Sequence, residues 1–370
     1  MRYRTGTIRR PPIRGRSKNH QKSIRNAMAH PFLVKDIAFQ AGLSTATVDR
    51  VLNGRPGVRR QTAARVHAAI DELERQAAAQ DNPARLHGID VVMEAPDRFT
   101  NAVRRAFESE AAAFAAAVFR ARFHFAELIR PADMAQMLDR IRLRGTDGVA
   151  LKAADVPEVA GAVARLEAAG IPVVTLVTDL PNTPRTAYAG ADNRAAGETA
   201  AYLIGERLKG ERLHILVTLS SNRFRGEEER EIGFRRLMRE RYPELGIVEV
   251  SEGFGRDAAT GALVAAALAR HPGIAGVYSI GGGNRAVLSA FEAAARPCRI
   301  YVAHDLDAEN LDLLKTGNLS FVLHHDLRTD ARRVFEAVLA RKRPRQAGNV
   351  ARLSAVEVVT PFNIPGELTR

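Results

Sequence analysis

The chain has 370 residues, which is enough for two or three domains with buried cores. Hydrophobic residues make up 46% of it and charged residues 26%, a globular composition that excludes a disordered or fibrous protein. The longest run without a charged residue, fourteen residues from His271 to Asn284, is too short for a membrane helix. No secretory signal pattern is visible and Cys298 is the single cysteine, so we expect a cytoplasmic protein.

The net charge of +13 is concentrated at the amino-terminal end. Residues 1–80 hold 16 lysines and arginines against five acidic residues, whereas the rest of the chain is nearly neutral. A basic segment joined to a near-neutral body indicates a polyanion-binding module attached to a domain with another role. Binding to a membrane surface is the alternative, but the segment lacks the apolar face of an interfacial helix.

Residues 1–30 contain nine basic and no acidic residues and show no periodic apolar face, which predicts a disordered basic arm. Two interpretations stay open. Either the arm contacts DNA, or translation starts at Met28 and the arm is an artefact of the gene start.

Three helices are predicted next. Apolar residues at helical spacing over 34–41 predict a short helix that Gly42 ends, and Ser44 can cap a second helix over Thr45–Leu52. A third helix is expected over Arg60–Gln76. Two short helices joined by Gly-Leu-Ser and completed by a third indicate a helix-turn-helix unit, with an unrelated three-helix domain as the alternative.

The pattern changes after this unit. The polar segment QAAAQDNPARLH (76–87) predicts a linker, and beyond it short apolar runs alternate with amphipathic helices. This alternation favours parallel, doubly wound sheets, and about nine strands favour two α/β lobes with a ligand cleft at the carboxyl ends of the strands. The predicted strands are Gly88–Met93, Phe123–Leu128, Gly148–Leu151, Pro172–Val177, Leu213–Leu219, Ile247–Val250, Gly276–Ile280, Arg299–Ala303 and Ser320–Leu323; predicted helices include Asn101–Val118, Val156–Ala169, Ala195–Leu208, Glu228–Arg241 and Ala258–Arg270.

Several stretches resemble the lactose-repressor/galactose-repressor family of bacterial transcription regulators. They are VKDIAFQAGLSTATVDRVLNGRPGVRRQTAARVHAAIDEL (34–73), DGVAL (147–151), LEAAGIPVV (166–174), ADNRAAGETAAYLI (191–204), EREIGFRRLM (229–238), HPGIAGVYS (271–279) and VAHDLDAENLDLLKTG (302–317). The resemblance implies a small all-α helix-turn-helix headpiece on a bilobed, periplasmic-binding-protein-like α/β core that dimerises. The implied domains are the arm (1–30), the headpiece (31–76), a linker or degenerate hinge (77–87) and the effector-binding and dimerisation core (88–370).

The chain departs from the family pattern in two places. The family's hinge helix, which enters the minor groove, is only loosely matched by QAAAQDNPARLH. Where most members have Asn-Asp after a core strand, this chain has Gly281-Gly282-Gly283-Asn284, which implies a different polar layout in the pocket.

The resemblance also assigns DNA contacts to the headpiece. Arg50 is the leading base reader because arginine pairs bidentately with guanine, and Thr45 and Ala46 lie at positions that the family uses for operator discrimination. Asp49 either accepts from a cytosine amino group or, as we favour, orients Arg50. The predicted phosphate contacts, with a solvated basic edge as the alternative, are Arg55, Arg59 and Arg60.

In the core, the resemblance places Arg230 in the cleft between the lobes, gripping hydroxyls or a carboxylate, with a surface ion pair to Glu227 or Glu231 as the alternative. Asp305 directly follows a strand, where its carboxylate can accept from sugar hydroxyls. His325 matches a pocket-lining position, or is structural. The remaining predicted ligand contacts are Asp97, Phe99, Thr100 and Asn284.

No metal or cofactor is expected. In His324-His325-Asp326, neighbouring side chains of a strand point to opposite faces, and the glycine run at 281–283 lacks the lysine of a phosphate loop. Asp192 is interpreted as a helix cap rather than a catalytic acid.

The sequence therefore predicts a dimeric, ligand-responsive regulator, most simply a repressor of a sugar or polyol catabolic operon that binds a near-palindromic operator. A transport-type solute-binding protein shares the core but has a signal peptide and no headpiece. A sugar-acting enzyme would need paired catalytic carboxylates or a cofactor loop.

Overall fold

The computed structural model describes residues 32–80, 86–342 and 353–366, so the expected arm over residues 1–30 lies outside the described part. The chain divides into two compact units, residues 1–84 and residues 85–370. Within the described residues, no helix is long and apolar enough to cross a membrane.

The amino-terminal unit contains three helices, α1 Val34–Ala41, α2 Thr45–Leu52 and α3 Arg60–Gln80. Gly42 ends α1 in the left-handed conformation (φ 60), as predicted. The Ser44 side chain caps α2 by accepting from the Thr47 backbone N–H at 3.2 Å. A small apolar core joins the helices, and its fully buried members are Ile37, Val48 and Val66. The predicted helix-turn-helix arrangement is confirmed.

The second unit has two lobes, each built on one sheet. The sheet of lobe 1 is wholly parallel, in the order β2-β1-β3-β4-β5. Its elements are β1 Leu86–Glu94, α4 Asp97–Ala113, β2 Val118–Ala126, α5 Pro131–Arg144, β3 Gly148–Lys152, α6 Pro157–Ala168, β4 Val173–Leu176 and β5 Ala187–Ala189.

Lobe 2 follows in the chain. Its sheet has the order β11-β10-β9-β8-β6-β7 and is parallel except for the edge strand β11. Its elements are α7 Asn193–Leu208, β6 His214–Thr218, α8 Arg225–Arg241, β7 Gly246–Val250, α9 Asp257–Arg270, β8 Ile274–Ser279, α10 Asn284–Ala293, β9 Ile300–His304, α11 Ala308–Lys315, β10 Phe321–His324 and β11 Glu357–Val359. Two α/β lobes with parallel sheets confirm the predicted fold class.

The last helix, α12 Leu327–Lys342, returns to lobe 1. Its Phe335 is fully buried and stacks on Phe119 of β2 with ring centroids 4.2 Å apart. Val338 packs in the same core, against the backbone of Gly148 in β3. Because α12 leaves lobe 2 directly after β10, residues 325–326 form one of the connections between the lobes.

Several predicted boundaries were wrong. Helix α4 begins at Asp97 rather than Asn101 and ends at Ala113 rather than Val118, so β2 starts at Val118 instead of Phe123. The run AAAFAAAV keeps helical spacing in sequence, but Phe114 leaves the helix and packs edge-on against Phe335. Helix α3 continues to Gln80, past the predicted end, because its last turn is rich in alanine. Strands β5 and β11 were missed, since three residues carry no periodic signal.

Candidate functional site

The exposed face of α2 carries the side chains expected to read DNA. Thr45, Ala46 and Arg50 are exposed, whereas Val48 on the opposite face is fully buried in the three-helix core. Within residues 32–80, the Arg50 guanidinium has neither a hydrogen-bond nor an ion-pair partner. An exposed arginine without a protein partner is available for bidentate pairing with guanine.

Asp49 does not orient Arg50, which corrects the expectation from sequence. Its carboxylate lies 3.1 Å from Arg55 Nη1 and accepts a 2.8 Å hydrogen bond from Asn53 Nδ2. Both partners belong to the turn after α2, so Asp49 fixes that turn. Arg59 at the start of α3 is exposed, as is its neighbour Arg60.

A cleft lies between the two sheets of the second unit, at the carboxyl ends of their strands. It encloses about 790 Å³ outside protein atoms, including its open mouth, a size suited to a small ligand. Three of the seven predicted ligand contacts line it, namely Phe99, Arg230 and Asp305.

The other four predicted contacts lie outside the lining. Asp97 is exposed in the first turn of α4, and its carbonyl accepts from Thr100 Oγ1 at 3.2 Å. Asn284 is buried, donating to Asn310 Oδ1 at 2.6 Å and accepting from the Tyr301 hydroxyl at 2.9 Å. None of these four side chains lines the cleft.

Arg230 enters the cleft from α8. It is only 5% exposed, and its Nε donates to Asn193 Oδ1 at 2.8 Å. Helices α7 and α8 approach closely here because Gly197 has no side chain; a Cβ at that position would overlap the Arg230 carbonyl. The alternative surface ion pair with Glu227 or Glu231 is not formed, so the terminal guanidinium nitrogens face the cleft.

Backbone strain is concentrated at the same place. Asp305 directly after β9 has φ 65, Val177 directly after β4 has φ 65, and Phe254 has φ 53. All three line the cleft. A left-handed conformation is unusual for any residue with a side chain, and especially for a β-branched one. Because such strain persists chiefly at functional sites, this clustering marks the cleft independently of its size.

His325 is fully enclosed behind the cleft wall. Its Nδ1 forms a 2.7 Å ion pair with the buried Asp330 of α12, and its Nε2 lies 3.9 Å from Asp305. Burial is the largest single influence and lowers the pKa of His325, but the charge and hydrogen bond of Asp330 together with the charge of Asp305 outweigh it, so the pKa is raised. His325 therefore links the cleft-lining Asp305 to the helix that returns to lobe 1.

The raised pKa predicts a pH-dependent stability difference. A raised pKa in the folded state contributes stability below the unfolded value of about 6.5, and this contribution is lost as pH rises through the folded value. We expect His325→Gln to cost about 1.5–3 kcal/mol at pH 6 and progressively less at alkaline pH. Thermal unfolding at several pH values measures the difference, with exposed His271→Gln as control. A cost that does not change with pH would contradict the charged His325.

Lys152 and His304 are among the cleft residues that the sequence analysis missed. Lys152 ends β3; its Nζ donates to the Glu94 carbonyl at 2.9 Å and lies 4.0 Å from the Phe224 ring centroid. His304 ends β9, bonds the Tyr278 hydroxyl at 2.8 Å, and is kept neutral because burial lowers its pKa well below the usual value. The available signal was their position, since each is the last polar residue of a buried strand facing the cleft.

Two arginines bridge the lobes beside the cleft. Arg98 of α4 has its Nε 3.1 Å from the Asp307 carboxylate, and its Nη1 donates to the Gly255 carbonyl at 3.2 Å. In the opposite direction, Arg223 after β6 pairs with Glu94 at the end of β1 at 2.8 Å. Each lobe thus contributes one arginine and one carboxylate to closure of the cleft.

The glycine run at 281–283 leaves space for the Arg98 side chain that bridges the lobes. Gly282 has φ 84, and a Cβ there would overlap the Arg98 guanidinium. Gly210 has nearly the same φ, 83, with nothing near a Cβ. We expect Gly210→Ala to cost about 1–2 kcal/mol through backbone strain alone, and Gly282→Ala to cost more. Thermal unfolding of both variants, each with and without Arg98→Ala, measures this; equal costs at both glycines would remove the role given to Arg98.

Two family models match this chain, one in each of its two units. The profile of the family described as periplasmic binding protein domain matches residues 89–341, and that of bacterial regulatory proteins, lacI family, matches residues 33–75. The HTH-type transcriptional regulators MalR of Streptomyces coelicolor and reg1 of Streptomyces lividans are each 63% identical over 38 residues, which is 10% of this chain and 11% of each relative. The match thus spans a short segment of those relatives.

Solved structures support the fold of the second unit. A glucose-galactose binding protein, GanP from Geobacillus stearothermophilus, has a TM-score of 0.67 at 18% identity, covering 76% of this chain and 99% of that structure. A solute-binding protein from Burkholderia graminis in complex with D-arabinose has a TM-score of 0.67 at 20% identity, covering 76% and 98%. The chain therefore belongs to the periplasmic-binding-protein family and carries a lacI-family regulatory domain at its amino-terminal end, which confirms the resemblance found in the sequence.

Proposed function

We propose that this protein is a ligand-responsive transcriptional regulator that represses a sugar or polyol catabolic operon in the cytoplasm. The observation that carries the proposal is the presence, in one chain, of an exposed reading face on α2 and a ligand-sized cleft with buried charged groups. The first binds duplex DNA and the second binds the effector.

The DNA partner is a near-palindromic operator bound by a homodimer. One helix-turn-helix unit offers too little surface for tight specific binding, and two-fold proteins match two-fold sites. Arg50 with Thr45 and Ala46 reads base edges, while Arg59 and Arg60 contact phosphates.

The effector is a polyhydroxylated molecule. The Arg230 guanidinium donates hydrogen bonds and the Asp305 carboxylate accepts them, so together they suit hydroxyl groups, which do both. Phe99 and Phe224 add aromatic surface for the apolar face of a sugar ring. Two proteins of similar fold, a glucose-galactose binding protein and a solute-binding protein in complex with D-arabinose, support this class.

The test is a thermal-shift panel of monosaccharides, polyols and sugar acids, followed by selection of DNA sequences by the purified protein. A ligand stabilises the protein by RT ln(1 + [L]/Kd), and we expect at least one such ligand and one palindromic site. Ligand binding without sequence-specific DNA binding would favour a solute-binding protein instead. Chemical turnover of the ligand would favour an enzyme.

A further inference from the structure

Most of the carboxylates that line the cleft are already hydrogen-bonded or ion-paired within the protein. Glu227 accepts from the backbone N–H and the hydroxyl of Ser220, at 2.7 Å and 2.5 Å. Glu94 and Asp307 pair with the two arginines that bridge the lobes. None of these three groups is the natural acceptor for a ligand, because each already has its donors.

Two cationic side chains of the cleft, Lys152 and Arg230, have fewer protein partners. Within the described residues, no carboxylate lies within 4.0 Å of Lys152 Nζ, so Lys152 forms no ion pair. It donates one of its three N–H groups to the Glu94 carbonyl. Arg230 uses only its Nε, on Asn193. Burial lowers the pKa of Lys152; the nearby charges of Glu227, Glu94 and Asp305 raise it and that of Arg230 lowers it, and the net direction is downward. Two cations with free donors therefore share one enclosed space and lack a directly bound anion.

Asp305 is a partly buried cleft-lining carboxylate that is not paired in this way. Its nearest recorded charged partner is His325 Nε2, at 3.9 Å, which is too long for a hydrogen bond. The charged cleft-lining groups that are not already paired are thus Lys152 and Arg230 as donors, and Asp305 with the more exposed Glu127 as acceptors. A complementary ligand therefore has a group that only accepts hydrogen bonds, placed beside Lys152 and Arg230. It also has a hydroxyl group placed beside Asp305.

We propose that the ligand is a sugar acid whose carboxylate lies between Lys152 and Arg230 and whose hydroxyl groups donate to Asp305. A carboxylate accepts several hydrogen bonds, and charge-assisted bonds of this kind are roughly twice as strong as neutral ones. Lys152 is then the residue that distinguishes the acid from the neutral sugar. This inference rests on the proposed function, because it concerns the effector of the same cleft.

The experiment compares ligands that differ only in the acidic group. Isothermal titration of the full-length protein with D-galactose and D-galacturonate, and with D-glucose and D-glucuronate, gives paired affinities. We expect the preferred acid to bind at least about tenfold more tightly than its neutral partner. Lys152→Met should remove most of this preference by weakening the acid far more than the neutral sugar, whereas Lys209→Met, at a residue 66% exposed, should change neither affinity.

Two results would overturn the inference. One is a neutral sugar that binds the wild-type protein as tightly as its acid, a result that needs no variant and so does not depend on Lys152→Met folding. The other is an equal loss of both ligands in Lys152→Met. If a neutral ligand still changes operator affinity, the proposed regulator stands while the sugar-acid inference fails; if an acid binds tightly but operator affinity never changes, the reverse holds.

Discussion

Arg230→Ala is expected to weaken effector binding by about 1.5–3 kcal/mol, or roughly 10- to 150-fold in Kd. The guanidinium is buried and lines the cleft, and its terminal nitrogens have no hydrogen-bond or ion-pair partner among the described residues. Operator binding without ligand should be retained, because Arg230 lies in the second unit and its loss does not alter the reading face of α2. Titration calorimetry and operator binding measure the two effects separately.

Two control variants separate ligand contact from support of the fold. Arg239→Ala removes an exposed arginine from the same helix and should leave effector affinity unchanged. Asn193→Ala removes the hydrogen-bond partner of Arg230 without removing a cleft-lining group. If Asn193→Ala and Arg230→Ala weaken binding equally, Arg230 acts by holding α7 and α8 together and not by touching the effector.

Arg50→Ala is expected to cost about 1–3 kcal/mol in operator binding and to relax the preference at one base pair in each half-site. The reason is the loss of a bidentate contact to a base edge, which an exposed and uncommitted arginine supplies. Fluorescence anisotropy with the operator and with single-base variants of it measures both the loss and the relaxed preference.

Arg59→Ala is the matched control for this prediction. A contact to phosphate carries no sequence information, so this variant should weaken operator and random DNA alike and reduce the salt dependence by about one unit of slope. An Arg50→Ala variant that behaves in the same way, losing affinity for both kinds of DNA, would remove Arg50 from the base-reading face.

Much of the fold was predictable because its signals are local. Gly42 and Ser44 mark the turn between α1 and α2 by their own conformational preferences. The strands that end at Thr218 and Ser279 are buried apolar runs, and such runs alternating with helices indicate parallel sheets without further information. Asp192 caps α7 as expected, accepting from the Ala195 N–H.

The site was only partly predictable because its geometry depends on distant residues. Whether Asn284 faces the cleft is decided by Tyr301 and Asn310, which bind it from two other elements. The place of the glycine run becomes clear only with Arg98, which arrives from the other lobe. Lys152 was overlooked because a single lysine at the end of a strand forms no motif. Its importance becomes clear only in the structure, where most of the nearby carboxylates already have other partners and Lys152 is left available to a ligand.

We propose that ligand binding in the cleft and operator binding by the headpiece are coupled. Coupling is reciprocal, so a ligand that changes operator affinity by a given factor must have its own affinity changed by the operator by that same factor, typically 5- to 150-fold. His325 lies between the cleft-lining Asp305 and Asp330 of α12. It therefore provides one physical link between the cleft and lobe 1.

The most direct test is a titration of labelled operator with the wild-type protein, with and without saturating ligand from the panel. Our account predicts a change in operator Kd of at least about fivefold with ligand. It also predicts that this change disappears in Arg230→Ala at the same ligand concentration, while operator binding without ligand is unaffected. A protein that binds both the ligand and the operator tightly, with an operator Kd that ligand does not change, would contradict the account.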